Sequence, residues 1–170
     1  MTLNPTRPGH AVDELYREHA LAMVRLALLL TGDQATAEDV VQDAFLGLYR
    51  GWSRLRDPDA AVGYLRRAVV NGCRSVHRSR RRLWPHAQLD HDPPPVWSAE
   101  AAAIDSEERR AVLDAVARLP RRQREILALR FYLDLPDSEV AAILKVSRGT
   151  VSSTVSRAVS TLARQLQEPQ

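Results

Sequence analysis

The sequence concentrates positive charge in one stretch, where seven arginines fall between residues 66 and 82 without a single acid. They are Arg66, Arg67, Arg74, Arg78, Arg80, Arg81 and Arg82. A guanidinium group presents planar donors that match phosphate oxygens, so this density predicts contact with a nucleic-acid backbone. A solvated helix face can have the same composition, and these residues alone leave both interpretations open.

A second set of candidate residues lies in ILKVSRGTVSSTVSR, residues 143–157, which has the spacing of a helix, a tight turn and a second helix. Short polar residues occupy the start of the second helix, namely Arg148, Gly149, Thr150, Ser152, Ser153 and Ser156. Backbone N–H groups at such an end can approach phosphates, and hydroxyls can contact base edges. A corner of this kind can also serve packing alone, although the small Ala141 at the expected crossing favours DNA binding.

A third set of candidates is acidic. Glu38, Asp39, Gln42 and Asp43 lie outside the apolar stripe of one predicted helix, on a face that is either solvated or suited to a basic partner. The carboxylates could also bind a hard metal ion, but no histidine stands beside them at helical spacing. The sequence contains no phosphate-binding loop or nucleophile motif either, so we predict no metal, no cofactor and no enzymatic activity.

Composition limits the class of protein. The chain has 170 residues, 45% of them hydrophobic, and a formal net charge of +3. No apolar run approaches the roughly 18 to 20 residues that cross a bilayer, and the N-terminus lacks a signal pattern, which predicts a cytoplasmic protein with no membrane insertion. Cys73 is the only cysteine, so it is expected to be a free, buried thiol.

The elements that must position these residues are all predicted helices. Apolar residues recur at three- and four-residue steps in one helix ending before Thr31-Gly32-Asp33, in a second from Ala37 to Trp52, and in a third from about Ala60 to Arg80. Further helices are predicted for 107–119, 121–133, 138–144 and the stretch after Ser147, which can cap it. No segment alternates with a period of two residues.

Three consecutive prolines and scattered acids between Trp84 and Ser106 predict a linker. The predicted fold class is therefore all-α, with two small helical domains joined by a flexible linker and a helix-turn-helix in the second domain. The boundaries are 1–83, 84–106 and 107–170.

Three segments resemble one family in that family's order. Residues 119–162, LPRRQREILALRFYLDLPDSEVAAILKVSRGTVSSTVSRAVSTL, resemble the −35-reading domain of bacterial sigma factors. Residues 37–52, AEDVVQDAFLGLYRGW, and 62–82, VGYLRRAVVNGCRSVHRSRRR, resemble the family's polymerase-binding helix and −10-reading helix. The two-domain layout resembles extracytoplasmic-function sigma factors.

The resemblance implies a promoter-specific initiation factor with three partners: core RNA polymerase, promoter DNA and an anti-sigma protein. The polymerase contacts it implies are the clamp helices of the largest subunit and the flap. The polymerase-binding residues it implies are Glu38, Asp39, Gln42, Asp43, Phe45, Leu46 and Arg50. For the −10 element it implies Trp52, Ser53, Arg54, Tyr64, Arg66, Arg67, Asn71, Arg74, Arg78, Arg80, Arg81 and Arg82. Trp52 and Tyr64 are as readily explained as core residues.

For the −35 element the resemblance implies Arg148, Gly149, Thr150, Ser152, Ser153, Ser156 and Arg157. The chain departs from the family pattern at Ser152 and Thr154, where relatives often carry basic residues, so hydroxyls and DNA shape are expected to contribute more to specificity. Lys145 replaces a glycine common in the turn, which costs roughly 1 kcal/mol if the backbone is left-handed there. The alternative function is a stand-alone helix-turn-helix regulator that does not deliver polymerase.

Overall fold

The computed structural model describes residues 8–55, 57, 60–83 and 107–167. The described residues form α1 (Pro8–Thr31), α2 (Gln34–Gly51), a short 3-10 turn (Trp52–Arg54), α3 (Ala61–Leu83), α4 (Glu107–Ala117), α5 (Arg121–Leu127), a π-helical segment (Ala128–Tyr132), α6 (Asp137–Leu144) and α7 (Arg148–Gln167). No strand occurs within these ranges, so the all-α prediction is confirmed. The predicted linker, 84–106, lies outside the described residues.

The break between α1 and α2 follows from three neighbouring residues. Gly32 adopts a left-handed backbone with φ 71°, and its N–H donates to Leu28 O, which closes α1. Asp33 then caps α2 by accepting a hydrogen bond from the Thr36 N–H at 2.9 Å. Hydrogen bonds from the Thr36 side chain and backbone lower the pKa of Asp33, so the cap stays ionised.

The first three helices pack around a core of fully buried side chains that includes Met23, Leu26, Leu48, Leu65 and Val69. Burying each such side chain contributes about 1.5–3 kcal/mol. His77 is also buried, and its Nε2 lies 2.9 Å from the carbonyl of Leu30, which ties α3 to the end of α1. Cys73 is a free, buried cysteine, as predicted.

The C-terminal helices share this core. Ile126, Leu129, Leu135, Val140 and Leu144 belong to the same buried cluster as the side chains of α1 to α3. The π-helical segment packs on α1, and Tyr132 hydrogen-bonds with Arg25 there. The two groups of helices therefore contact each other directly, which the sequence pattern did not predict.

One helix differs from its prediction. A single α-helix is expected over 121–133, but regular geometry ends at Leu127 and Leu133 N–H donates to Ala128 O, five residues back. The wider turn leaves Phe131 59% exposed, although its four-residue spacing from Leu127 predicts a buried position. Among the described residues, no helix combines the length and apolar character needed to cross a membrane.

Candidate nucleic-acid and partner interfaces

The acidic face of α2 consists of Glu38, Asp39, Gln42 and Asp43, and all four are exposed. The opposite side of the helix is buried through Ala37, Val40, Val41, Ala44, Phe45 and Leu48. The Gln34 side-chain amide donates to Glu38 Oε1, which orders one carboxylate locally. Packing therefore holds one side of α2 and leaves the carboxylates directed to solvent.

Two apolar side chains extend the acidic face. Leu46 is 49% exposed and Tyr49 is 53% exposed, one and two turns beyond Gln42 and close to exposed Arg50. The spacing of Tyr49 from Phe45 and Trp52 predicts a buried position on the apolar stripe, and its exposure corrects that prediction. Phe45 is buried, with its ring edge-to-face on Tyr16 at 4.9 Å, so it supports this surface from below and does not lie on it.

The arginine face of α3 is formed by Arg67, Asn71, Arg74, Arg78 and Arg81, which follow one another at three- and four-residue steps, and by Arg82 beside Arg81. All are exposed except Arg74, which is half-buried. The opposite side of α3 is buried through residues that include Leu65, Val69 and Cys73. An α-helix rises about 1.5 Å per residue, so the strip from Arg67 to Arg82 is long enough to follow several phosphates of a nucleic-acid backbone.

Arg66 lies outside this strip, and its Nη1 donates to Glu139 Oε2 at 3.1 Å. Three further residues assigned to the DNA-binding set also lie away from the strip. Arg80 points to the other side of α3, where its Nη2 donates to Thr36 Oγ1 at 3.1 Å. Trp52 is buried in the core, which resolves its two interpretations in favour of packing. Tyr64 packs on α2, where its hydroxyl lies 3.0 Å from the place that a Cβ on Gly47 would occupy.

The loop before α3 is described only in part. Ser53 and Arg54 are exposed in the 3-10 turn after α2, close in sequence to the buried Trp52. Arg56, Pro58 and Asp59 lie outside the described residues.

Arg74 and Glu125 form a pair that no local pattern in the sequence indicates, because 51 residues separate them. Arg74 donates from Nε to Oε1 at 2.9 Å and from Nη2 to Oε2 at 2.7 Å. Burial alone would raise the pKa of Glu125, but the hydrogen bonds and charge of Arg74, with Arg121 and Arg122, hold it below its ordinary value. The hydrogen bond to Glu125 correspondingly raises the pKa of Arg74.

The helix-turn-helix consists of α6, a turn and α7. Lys145 has φ 56° and ψ 54°, so the backbone is left-handed where the sequence lacks the usual glycine. The N–H groups of Lys145 and Val146 both donate to Ala141 O, which ends α6. Ser147 Oγ accepts a hydrogen bond from the Thr150 N–H at 3.0 Å, and this confirms the predicted cap of α7.

The hydroxyl face of α7 comprises Arg148, Gly149, Thr150, Ser152, Ser153, Ser156 and Arg157, and all seven are exposed. Ser156 Oγ donates to Ser152 O at 3.2 Å, which leaves its lone pairs free to accept from outside. Ser153 Oγ donates to Thr150 O and accepts from Arg157 Nη2 at 3.3 Å, which leaves one lone pair. Acceptors of this kind match the amino donors of cytosine and adenine in the major groove. Thr154 is buried, so it cannot be one of the residues that choose a sequence.

A cleft of about 490 Å³ separates the arginine face from the C-terminal helices. It is lined by Asn71, Arg74, Arg78, Arg121, Arg122, Glu125, Ile143 and Lys145. Five of these side chains are cationic and one is acidic, which makes the cleft a place of positive potential. In the part of the chain that the structure describes, no three histidine, cysteine or acidic residues gather as a metal site.

Two protein-family models match the chain. Residues 15–83 match sigma-70 region 2, and residues 109–162 match sigma-70 region 4. The first match contains the acidic face and the arginine face, and the second contains the helix-turn-helix.

Two named proteins are similar to this chain over most of its length. The RNA polymerase sigma-E factor of Streptomyces avermitilis is 31% identical over 159 residues, covering 91% of this chain and 84% of that protein. The ECF RNA polymerase sigma factor SigM of Mycobacterium tuberculosis is 36% identical over 158 residues, covering 92% of this chain and 78% of SigM.

Solved structures show the same fold. The sigma factor RpoE in complex with the anti-sigma factor NepR from Bartonella quintana superposes with a TM-score of 0.75 at 22% identity, covering 93% of this chain and 99% of RpoE. CnrH in complex with the cytosolic domain of CnrY gives a TM-score of 0.68 at 22% identity, covering 97% of each chain.

Proposed function

The chain belongs to the extracytoplasmic-function sigma factors of bacterial RNA polymerase, which direct transcription initiation, and on that premise we propose which surface carries each part of the task. Residues 1–83 act as the domain that binds polymerase and the −10 element, 84–106 as the linker, and 107–170 as the domain that binds the −35 element. The stand-alone regulator is not favoured, because the N-terminal helices match the family as well.

The acidic face of α2 is the proposed docking surface for the clamp helices of the largest polymerase subunit. Its carboxylates suit a basic partner helix, and exposed Leu46 and Tyr49 add apolar area at the edge of the charges. Arg50 lies at the far end of the same face. The second polymerase contact, at the flap, is assigned to residues 107–170 on the family resemblance.

The arginine face of α3 is the proposed surface for the opened −10 strand. Exposed Arg67, Arg78, Arg81 and Arg82 can each neutralise a phosphate, and Asn71 between them can hydrogen-bond to a base or sugar. Ser53 and Arg54 lie in the 3-10 turn that follows α2 and precedes α3 along the chain. Because phosphate contacts release counterions, binding should weaken steeply with salt.

The hydroxyl face of α7 is the proposed reader of the −35 element in the major groove. The N-terminus of this 20-residue helix offers its dipole and free N–H groups to phosphates, and Arg148 adds a charge there. Few cations are needed in this domain, because the linker and polymerase hold it near its DNA site. The tether lets two weakly binding domains bind the promoter together.

The proposed role is non-catalytic, in the cytoplasm where transcription takes place, and it includes an anti-sigma protein as regulator. Support for that partner comes from the family resemblance and from the two solved structures of the same fold, one of which is named as a complex with an anti-sigma factor.

The polymerase assignment rests on one observation. Asp39 and Asp43 are exposed on a helix whose other side is buried in the core. The variant Asp39→Arg with Asp43→Arg should lose association with core polymerase in a pull-down and lose promoter-directed transcription, with an unchanged circular dichroism melt. Asp13→Arg with Glu18→Arg makes the same charge change on exposed positions of α1 and should bind normally. Normal polymerase binding by the α2 variant would remove the clamp assignment.

A further inference from the structure

Two arginines bind the two ends of α6, the first helix of the helix-turn-helix. At its N-terminus, Arg130 of the π-helical segment forms a salt bridge from Nε to Asp137 Oδ1 at 3.1 Å. At its C-terminus, Arg122 of α5 donates from Nη2 to the carbonyl of Leu144 at 3.4 Å. Arg122 Nη1 also donates to Glu125 Oε2 at 3.3 Å, which holds the guanidinium on its own helix. We call Arg122 and Arg130 the bracing arginines.

The spacing of the bracing arginines matches the length of α6. Arg122 and Arg130 are eight residues apart, about 12 Å along a helix, and Asp137 and Leu144 are seven residues apart, about 10 Å. At about 100° per residue, eight residues of regular α-helix overshoot two full turns by about 80°. The π-helical segment Ala128–Tyr132 reduces that overshoot, because each residue of a wider turn advances by a smaller angle. The irregular turn therefore lets both guanidinium groups face α6.

α6 supports the part of α7 that carries the hydroxyl face. Val151 of α7 is fully buried in one apolar cluster with Val140 and Leu144 of α6. Two turns further along α7, Ala158 packs in a separate cluster with Leu127 of α5. The two halves of α7 therefore rest on different helices, and a shift of α6 would tilt the half that begins with hydroxyls.

We propose that the bracing arginines set the angle at which the hydroxyl face meets the −35 base edges, so that they act on base choice through α6. They are positioning residues, and the inference rests on the proposed role of the hydroxyl face. A serine hydroxyl has a short reach, and its hydrogen bond is lost once donor and acceptor separate beyond about 3.5 Å. A reading face of short side chains therefore needs its backbone held more firmly than one that uses long, flexible cations.

The bracing arginines contribute more to position than to stability. The side chains of Arg130 and Asp137 are 36% and 34% exposed, and solvent screens an ion pair at that exposure. An eight-residue helix is too short to be stable by itself, so α6 takes its position from what it packs on. Without the braces, the buried Val140 and Leu144 still hold α6 in the fold, but its ends are free to shift.

The test uses holoenzyme reconstituted from the full chain and core RNA polymerase. The probe is a pool of random-sequence DNA duplexes, and sequencing of the bound fraction identifies the upstream element that the unchanged chain prefers. Affinity for the preferred duplex is then divided by affinity for the same duplex with its upstream element scrambled. This specificity ratio separates base reading from contact with phosphates, which both duplexes share.

Removal of either bracing arginine should lower the specificity ratio. Arg122→Gln and Arg130→Gln should each reduce it roughly tenfold, about the effect of one mismatched base pair, with little change in the circular dichroism melt. Arg130→Lys keeps a cation that can reach Asp137, so it should keep most of the ratio. Arg118→Gln removes an exposed arginine elsewhere in the same domain and should leave the ratio unchanged.

The pair of Arg130 and Asp137 provides a second readout. Asp137→Asn should lower the specificity ratio as Arg130→Gln does, and the double variant should be no worse than either, because both changes remove the same contact. An arginine that merely contacted a phosphate would behave differently. Its loss would weaken binding to both duplexes equally, and Asp137→Asn would strengthen binding to both.

Three results would count against these proposals, and they are distinguishable. A specificity ratio that survives both Arg122→Gln and Arg130→Gln would overturn the positioning role while leaving the hydroxyl face as the reader. Additive losses in the double variant would show that Arg130 and Asp137 do not act through each other. If the unchanged chain shows no preference for any upstream element, the reading role of the hydroxyl face is wrong, and the positioning role is overturned with it.

Discussion

Gly72 of α3 lies so close to Val40 of α2 that no side chain fits between the helices. A Cβ on Gly72 would lie 2.8 Å from Val40 Cγ1, and valine has little rotamer freedom to move away. Gly72→Ala should therefore lower the free energy of unfolding by about 1–3 kcal/mol through overpacking, despite the better helix propensity of alanine. Urea unfolding followed by circular dichroism measures this change.

Gly63 provides the control on the same helix. A Cβ there meets nothing within 4 Å, so Gly63→Ala should raise the free energy of unfolding by up to about 1 kcal/mol. If Gly72→Ala raises the free energy of unfolding as Gly63→Ala does, the α2–α3 contact is not tight.

Arg78 and Arg80 are two residues apart but point to different sides of α3. Arg78→Ala should weaken binding of single-stranded DNA and reduce the slope of log affinity against log salt by about 0.7, since it removes one phosphate contact. Arg80→Ala should leave that slope unchanged, because its guanidinium already donates to Thr36, and should instead cost about 1 kcal/mol of stability. Equal effects on the salt slope would contradict the assignment of only Arg78 to the arginine face.

Lys145 has a left-handed backbone, which glycine adopts at lower cost. Lys145→Gly should raise the free energy of unfolding by about 1 kcal/mol, whereas Lys145→Ala should change it little. Both substitutions remove the same charge from the cleft, so the difference between them isolates the backbone. A thermal melt that ranks alanine equal to glycine would show that the turn relaxes without strain.

Burial, and secondly the charge of Glu125, raise the pKa of the Cys73 thiol to about 12. The thiol should therefore resist Ellman's reagent at pH 8 in the native chain and react fully once urea unfolds it. An acid whose pKa is raised on folding contributes stability that is complete below the unfolded value near 9.0 and is lost as pH rises towards the folded value. Native-state labelling as fast as that of the unfolded chain would contradict the burial.

Features that depend on neighbouring residues were predictable. The period of apolar residues located α1, α2 and α3 and separated the acidic face from the core, because both follow from 3.6 residues per turn. Ser147 was recognisable as a cap, because its partner Thr150 is three residues away.

Whether a residue on an apolar stripe is buried also depends on which neighbouring helix covers it. Tyr16 and Tyr49 belong to apolar stripes by spacing, yet both are about half exposed, because each lies at the edge of its stripe, where packing covers only part of the ring. The π-helical turn after Leu127 shifts Phe131 outward, and no residue type in this segment marks the change.

The sequence by itself determined that α3 carries cations on one side, that α2 carries acids, and that α7 begins with hydroxyls, because each is a local repeat. Only the tertiary structure decided which cations are already paired. Arg74 meets Glu125 across 51 residues and Arg66 meets Glu139 across 73, whereas Arg78 lies unpaired in the cleft within the described part of the chain. Periodicity specifies the face of a helix, but a pair between distant segments depends on how the helices pack.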